Sequence, residues 1–251
     1  MSVSIKSKRE IEIMREAGKI LGTVMRDLSK EVKAGMSTYT LDKIGEEMIR
    51  SYGCIPSCKG YEGYPAAFCI SVNEAIVHSI PSKKIILKEG DIVSLDACLE
   101  YKGYQADAAR TVGVEQISKE AAQLIEVTKQ SFFEGVKYAK EGCHLHEISN
   151  AIAAYNESYG YGVIRELVGH GIGAEMHEDP PIPNFTQQRR GIKLYEGMTL
   201  AIEPMVSAGG YEVEWLDDDW TAVTADRSLA AHYENTVLVT KNGPEILTLV
   251  E

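Results

Sequence analysis

Long apolar runs are what this chain most plainly lacks. No uninterrupted apolar stretch approaches the ~18 residues of a membrane span, and the opening MSVSIKSKREIE has no apolar core of the kind a signal peptide needs. No membrane partner and a cytoplasmic location are therefore expected. Basic residues are also scarce: 26 Lys plus Arg face 37 Asp plus Glu, a formal charge of −11 with a pI near 5.1. An acidic surface repels a phosphate backbone, and no Lys/Arg-rich stripe offsets it, so DNA is excluded as a partner. The five cysteines (Cys54, Cys58, Cys69, Cys98, Cys143) are too few and too irregular for a disulfide framework, and an odd count leaves at least one unpaired. Cys54 and Cys58 have no second pair to close a tetrahedral zinc site, and taken alone they read as small core residues. What is present is an ordinary globular composition, 44% apolar and 25% charged over 251 residues, enough to bury a sizeable core. No long exposed apolar stripe argues for a second copy, so a monomer is the default.

Apolar spacing and punctuation give a coarse map. After Ser7, an N-cap residue, Ile11, Met14, Ala17, Ile20, Leu21 and Met25 fall at helical period; Thr38 to Tyr52 repeats the pattern before Gly53 stops it. Short β-branched or apolar runs over 66–80 and 91–101 predict strands, extended by Arg110 to Val114. Residues 118–140 and 145–159 return to helical period, and 163–168, 198–203, 211–215, 221–224 and 233–249 read as strands. This order of helices, strands, helices, strands contains a repeat. Lys33-Ala34-Gly35 and Ser51-Tyr52-Gly53 correspond to Lys140-Glu141-Gly142 and Ser158-Tyr159-Gly160, each shifted by 107, and EGDIVSLD from Glu89 corresponds to EGMTLAIE from Glu196, again by 107. Two blocks in one register predict a duplicated half, about 1–110 and 111–251, with an approximate two-fold axis within a single domain.

The repeat matters because of what ends each strand. Gly90 and Gly197 each lead into a strand whose sixth residue past the glycine is a carboxylate, Asp96 or Glu203. A carboxylate among such apolar neighbours costs several kcal/mol unless cations or a metal pair with it. A two-fold axis would set the pair across one central cleft, with Asp107 and Glu234 following. Four close carboxylates cannot all stay ionised alone; two divalent cations would neutralise them. His170, between glycines in ELVGHGIGAEMHEDPP, fits the same cluster. The set Asp96, Asp107, His170, Glu203 and Glu234 is oxygen-rich with a single imidazole, and suits Mn, Fe(II), Co or Zn in a pair about 3.5–4 Å apart. Such a pair would hold a water and lower its pKa toward neutrality, which implies metal-assisted hydrolysis.

The other histidines differ in weight. His144 and His146, near a helix start, are expected in solvent. His78 in SVNEAIVHSIP and His177 could each be a satisfied core histidine; at the rim of a metal cluster they could donate to a scissile carbonyl or hold the amide nitrogen.

SVNEAIVHSIP, SLD with an Asp eleven residues on, GHGIGAEMHEDP, AIEPM and DRSLAAHYENT together resemble the bacterial-type methionine aminopeptidases, type I, and the resemblance runs over essentially the whole chain. It implies an α+β "pita-bread" fold, a curved antiparallel sheet backed by two helix pairs with internal pseudo-two-fold symmetry. It implies removal of the initiator Met from nascent, deformylated chains when the next residue is small. In that pattern Asp96 binds one metal, His170 and Glu203 bind the other, and Asp107 and Glu234 bridge both. His78 and His177 contact substrate, and Glu203 also relays a proton. Cys58, Tyr61, Tyr64, Cys69, Met176 and Trp220 match the methionine pocket, whose sulfur and aromatic groups suit a flexible thioether; without the resemblance Tyr61 and Tyr64 read as a turn packed on the sheet.

Three positions depart from the pattern: Glu62 stands where His is usual, Met176 where Phe or Leu is, and His232 where Gln is. None is a metal ligand in that pattern. Met176 is expected to reshape the pocket and His232 to perturb the neighbouring Glu234, with effects on specificity and pH profile. Prolidases and Pro-X aminopeptidases share the five ligands but carry an added N-terminal domain. The 31 residues from Glu203 to Glu234 leave no space for the helical insertion of the type II enzyme. A metal-free binding relative is expected to have lost ligands, and all five are here. The ribosome is a candidate docking partner, although the acidic balance argues against strong RNA contact.

Overall fold

A computed structural model describes residues 3–250. Helix α1 (Lys8–Glu31) starts where Ser7 predicts it. The Ser7 Oγ accepts from the Glu10 N–H while the Glu10 carboxylate accepts from the Ser7 N–H at 2.6 Å, so two orphan donors of the first turn are satisfied reciprocally. Helix α2 (Thr38–Ser51) is capped by Ser37 and stopped at Gly53, whose φ of +72° is left-handed. Both lay their apolar faces on the strands Ile92–Tyr101 and Tyr104–Gly113, where Leu21, Met25, Leu28, Leu41, Phe68, Leu95 and Leu99 are fully buried. Each such side chain contributes about 1.5–3 kcal/mol. Helices α3 (Lys119–Val136) and α4 (Leu145–Glu157) cover the strands Thr199–Ile202 and Asn235–Thr240 through Phe132, Ile148, Ile152, Leu200 and Val237.

All strand pairing is antiparallel among the described residues. In one sheet the strand Ile92–Tyr101 lies against Ile55–Pro56, Cys69–Val72 and Tyr104–Gly113; another runs Gly243–Ile246, Asn235–Thr240, Thr199–Ile202, Gly169–Gly171, Glu178–Ile182. They meet at the centre of the molecule, where the Ala109 carbonyl accepts from the Glu234 N–H at 3.0 Å and the Thr236 hydroxyl bonds to both backbone groups of Asp107. Positions related by 107 share left-handed backbone: φ is +84° and +95° at Gly35 and Gly142, and +95° and +90° at Gly90 and Gly197.

The departures from expectation have physical causes. The expected strand 163–168 shrinks to Gly162–Val163, and the chain then loops toward Gly169. Glu178–Ile182 is a strand despite Pro180 and Pro181; it lies at a sheet edge, where missing N–H donors cost little. His144 and His146, expected in solvent, are half-buried at the start of α4, where the Glu147 carboxylate accepts the His144 N–H at 2.7 Å. No helix among the described residues is long and apolar enough to cross a membrane.

The C-terminal segment presses on α1 at two glycines. A Cβ on Gly18 would stand 2.5 Å from the Leu247 carbonyl oxygen, and one on Gly22 equally close to that of Thr248. Gly18→Ala should gain about 1 kcal/mol of helix propensity and lose more to overpacking, about 1–3 kcal/mol. A lower urea midpoint is the expected result, and a higher one would show that the segment moves aside freely.

Candidate active site

Strand register gathers the acids. Asp96 pairs with Ala109 and Cys98 with Asp107, so alternation puts both carboxylates on one face of the hairpin 92–113. In the other sheet Ala201 pairs with both His170 and Thr236, which carries His170, Glu203 and Glu234 to a common face. Glycines on either side of His170 permit that approach: a Cβ on Gly171 would lie 2.2 Å from the Asp179 carbonyl oxygen, and one on Gly169 2.5 Å from that of Ala201. The His170 Nδ1 meets the Gly171 carbonyl at 2.8 Å, which places the ring proton on Nδ1 and leaves Nε2 facing Asp107 at 3.9 Å and Glu203 at 3.7 Å. The donor atoms of Asp107, His170 and Glu234 all lie within 4.8 Å of one another, and so do those of Glu203, His232 and Glu234.

Electrostatics make this cluster untenable by itself. Burial, then neighbouring carboxylates, raises Asp96 and Asp107 to about 8; burial takes Glu203 to about 8 and drives Glu234 well up. Burial lowers His78, His170 and His232 to about 4, and lowers His177 against the opposing field of Glu62. Acids that must hold protons, beside imidazoles that must shed theirs, form a set of oxygen and nitrogen donors that dications would relieve. The residues fit a site for borderline divalent metals.

All five sequence-predicted ligands line one cavity of about 170 Å³, together with His78, His177, Cys58, Tyr61, Tyr64, Cys69, Met176 and Trp220. That volume is well below the ~300–1,000 Å³ of sites for drug-sized ligands and suits a single side chain. The rings of Tyr64 and Trp220 meet edge to face at 5.0 Å, and the Tyr64 hydroxyl donates to the Ser79 and Phe68 carbonyls. Cys58, read alone as core, is a cavity wall whose Sγ accepts the Cys98 N–H at 3.3 Å; Cys54 lies in the core. The Tyr61 hydroxyl meets the His177 Nδ1 at 2.7 Å. His78 takes a left-handed φ of 60°, a conformation that non-glycine residues adopt uncommonly. His78, His170, His177 and Glu203 also border an adjoining open cleft of about 650 Å³, continued by Leu167, Val168, Pro181 and Met205.

Two supporting residues, Arg110 and Asn184, carried no sequence signal of their role. Arg110 donates to the Glu234 carbonyl and the Asn235 amide oxygen, and the Asn184 amide donates to the Glu203 carbonyl at 3.0 Å. Glu62 also lines the cavity. His232, expected to act on Glu234, faces Glu203 as well, at 3.5 Å, because strand Ala230–His232 hydrogen-bonds to Met205–Ser207 immediately beyond Glu203.

Comparison with known proteins agrees with this geometry. Residues 12–241 match metallopeptidase family M24. A methionine aminopeptidase of Clostridium acetobutylicum is 56% identical over 99% of this chain and 100% of its own length. The crystal structure of methionine aminopeptidase from Thermotoga maritima superposes with a TM-score of 0.96 at 43% identity, covering 98% of this chain and 99% of that one. The Xaa-Pro dipeptidase of Bacillus anthracis has the same architecture at 25% identity and a TM-score of 0.77, but the match covers only 62% of its chain.

Proton linkage gives the cluster a pH signature. Asp96, Asp107 and Glu203 bind more protons folded than unfolded from about pH 4 to about 8, and raised Glu234 acts in the same direction, which lowers stability as pH rises. The lowered imidazoles act oppositely, between about pH 4 and their ordinary 6.5. Below 6.5 the two sets offset; above it the carboxylates act alone. Metal-free protein should therefore lose thermal stability from about pH 6.5 to about 8, and added Mn(II) or Co(II) should restore it while releasing protons. A flat melting profile over that range would contradict the cluster's electrostatics.

Proposed function

The chain belongs to metallopeptidase family M24, with the pita-bread fold and on the methionine aminopeptidase branch, and from that premise we propose how its site works. It is a metal-dependent hydrolase that removes N-terminal methionine. One observation carries the finer reading: the acidic cluster sits where a cavity sized for one side chain adjoins a larger cleft, the two sharing His78, His170, His177 and Glu203. A chain end enters the cavity, the rest of the peptide leaves along the cleft, and the bond between them lies at the cluster. Internal peptide bonds cannot reach that position.

Asp96, Asp107, His170, Glu203 and Glu234 would hold two divalent cations, Asp107 and Glu234 serving both. When bound, the cations supply Lewis acidity and an activated water. Cys58, Cys69 and Met176 offer polarisable contacts to the substrate thioether, beside the paired Tyr64 and Trp220 rings. In the tautomer whose Nδ1 accepts from the Tyr61 hydroxyl, the neutral His177 ring carries its proton on Nε2, where it can donate to the oxygen that gains charge as the carbonyl is attacked. His78 lies across the junction and holds the amide nitrogen. Glu203, at the junction of cavity and cleft, takes the proton of the attacking water and hands it to the leaving amine. The two imidazoles crowd the junction, which favours a small second residue.

The same reading takes the chain as one domain of two related halves, supported by the shared left-handed glycines at an offset of 107. It places the enzyme in the cytoplasm as a monomer acting on deformylated nascent chains, with the ribosome as the candidate docking partner.

Met-Ala-Ser should be cleaved and N-acetyl-Met-Ala-Ser spared; equal turnover of both would refute the exopeptidase reading. Asp107→Ala and Glu234→Ala should lose metal and turnover together. His78→Ala and His177→Ala should keep their metal content, measured by elemental analysis, and lower kcat by about 10²–10⁴-fold.

A further inference from the structure

His232 is the imidazole of the centre that the five-residue pattern leaves out. It ends the strand Ala230–His232, its N–H donating to the Thr111 hydroxyl at 2.8 Å, and it is 1% exposed. Neither ring nitrogen has a hydrogen-bond partner. A buried imidazole with both nitrogens idle is costly, and this one is aimed at the acids: Nε2 stands 3.5 Å from Glu203 Oε2. The other oxygen of the same carboxylate stands 3.7 Å from His170 Nε2. Glu203 thus lies between two imidazoles. The donor atoms divide into two triads, Asp107 with His170 and Glu234, and Glu203 with His232 and Glu234, each spanning no more than 4.8 Å. Two ligands of one ion, each roughly 2.0–2.2 Å from it, stand about 3.0–3.5 Å apart in octahedral or tetrahedral geometry, and the spacing of His232 to Glu203 matches that edge.

We propose that His232 is a sixth protein ligand of the metal centre, bound through Nε2. The proposal rests on the reading above that the acidic cluster holds divalent cations. A second neutral nitrogen leaves the balance of charge unchanged while making the donor set less purely oxygen. Such a centre discriminates more strongly for cobalt, iron or zinc, and against magnesium, than one with a single imidazole.

The number of bound imidazoles can be read without reference to activity. In the Co(II)-loaded protein each ligated ring gives an exchangeable N–H proton shifted far downfield by the paramagnetic ion. The His170 Nδ1 proton is sheltered by the Gly171 carbonyl and the His232 ring is sealed from solvent, so both signals should survive exchange. Two such resonances are expected in the native chain. His232→Gln should remove one, keep the other, and weaken Co(II) binding by at least roughly tenfold in isothermal titration. One resonance in the native protein, unchanged by the substitution, would overturn the proposal and leave His232 as a hydrogen-bond donor to Glu203. If the variant does not fold, the count in the native chain still decides. No cobalt uptake at all would instead remove the metal reading on which the proposal stands.

Discussion

Mutual repulsion among four buried carboxylates is the constraint around which the molecule is arranged. Each half of the chain contributes acids to a centre where burial already disfavours charge, and each added neighbour raises the cost. The scaffold fixes these acids in place through their backbones and leaves that cost standing. Glu234 is tied to Ala109, Asp107 to Thr236, and Arg110, the nearby positive group, binds the Glu234 carbonyl rather than its carboxylate. The carboxyls receive hydrogen bonds, as Asp107 does from the Ala108 backbone and from Glu234 and Cys98, but no Lys or Arg ion pair among the described residues.

The two sheets carry the precision of this centre. Asp96 and Asp107 are fixed by one hairpin register, and His170, Glu203 and Glu234 by another, so a one-residue slip in either would turn its ligands to the opposite face. Helices α1 to α4 cover the outer faces with ordinary apolar packing and contribute no ligand. Stability and chemistry thus occupy different layers, joined through backbone at the midline.

Much of this was legible in the sequence, for identifiable reasons. Ser7, Gly53, Gly90 and Gly197 punctuate the chain through local rules, and the elements they bound appear where expected. The five candidate acid and imidazole groups stood out because carboxylates in apolar strands are anomalous without a partner, and the eight residues that the resemblance in motif assigns to substrate line the same cavity. Arg110 and Asn184 were illegible because their work is done on backbone carbonyls, which leaves no pattern in side-chain identity. The edge strand Glu178–Ile182 was hidden by its prolines, since the sequence does not say which strand lies outermost. His232 was visible as an oddity, but its reach to Glu203 depends on a pairing with Met205–Ser207 that no local rule predicts.

The turn that supplies Tyr61 is built almost wholly from left-handed residues, with φ of +92° at Gly60, 47° at Glu62 and +93° at Gly63. Buried Tyr64 fastens one end of that turn through its hydroxyl bonds to the Phe68 and Ser79 carbonyls, and the Tyr61 phenol at its middle meets the His177 Nδ1. A surface loop of this kind would ordinarily drift freely over evolutionary time. Here a change in its length or handedness would carry the Tyr61 phenol away from His177, so the sequence freedom of this stretch is tied to the imidazole it meets.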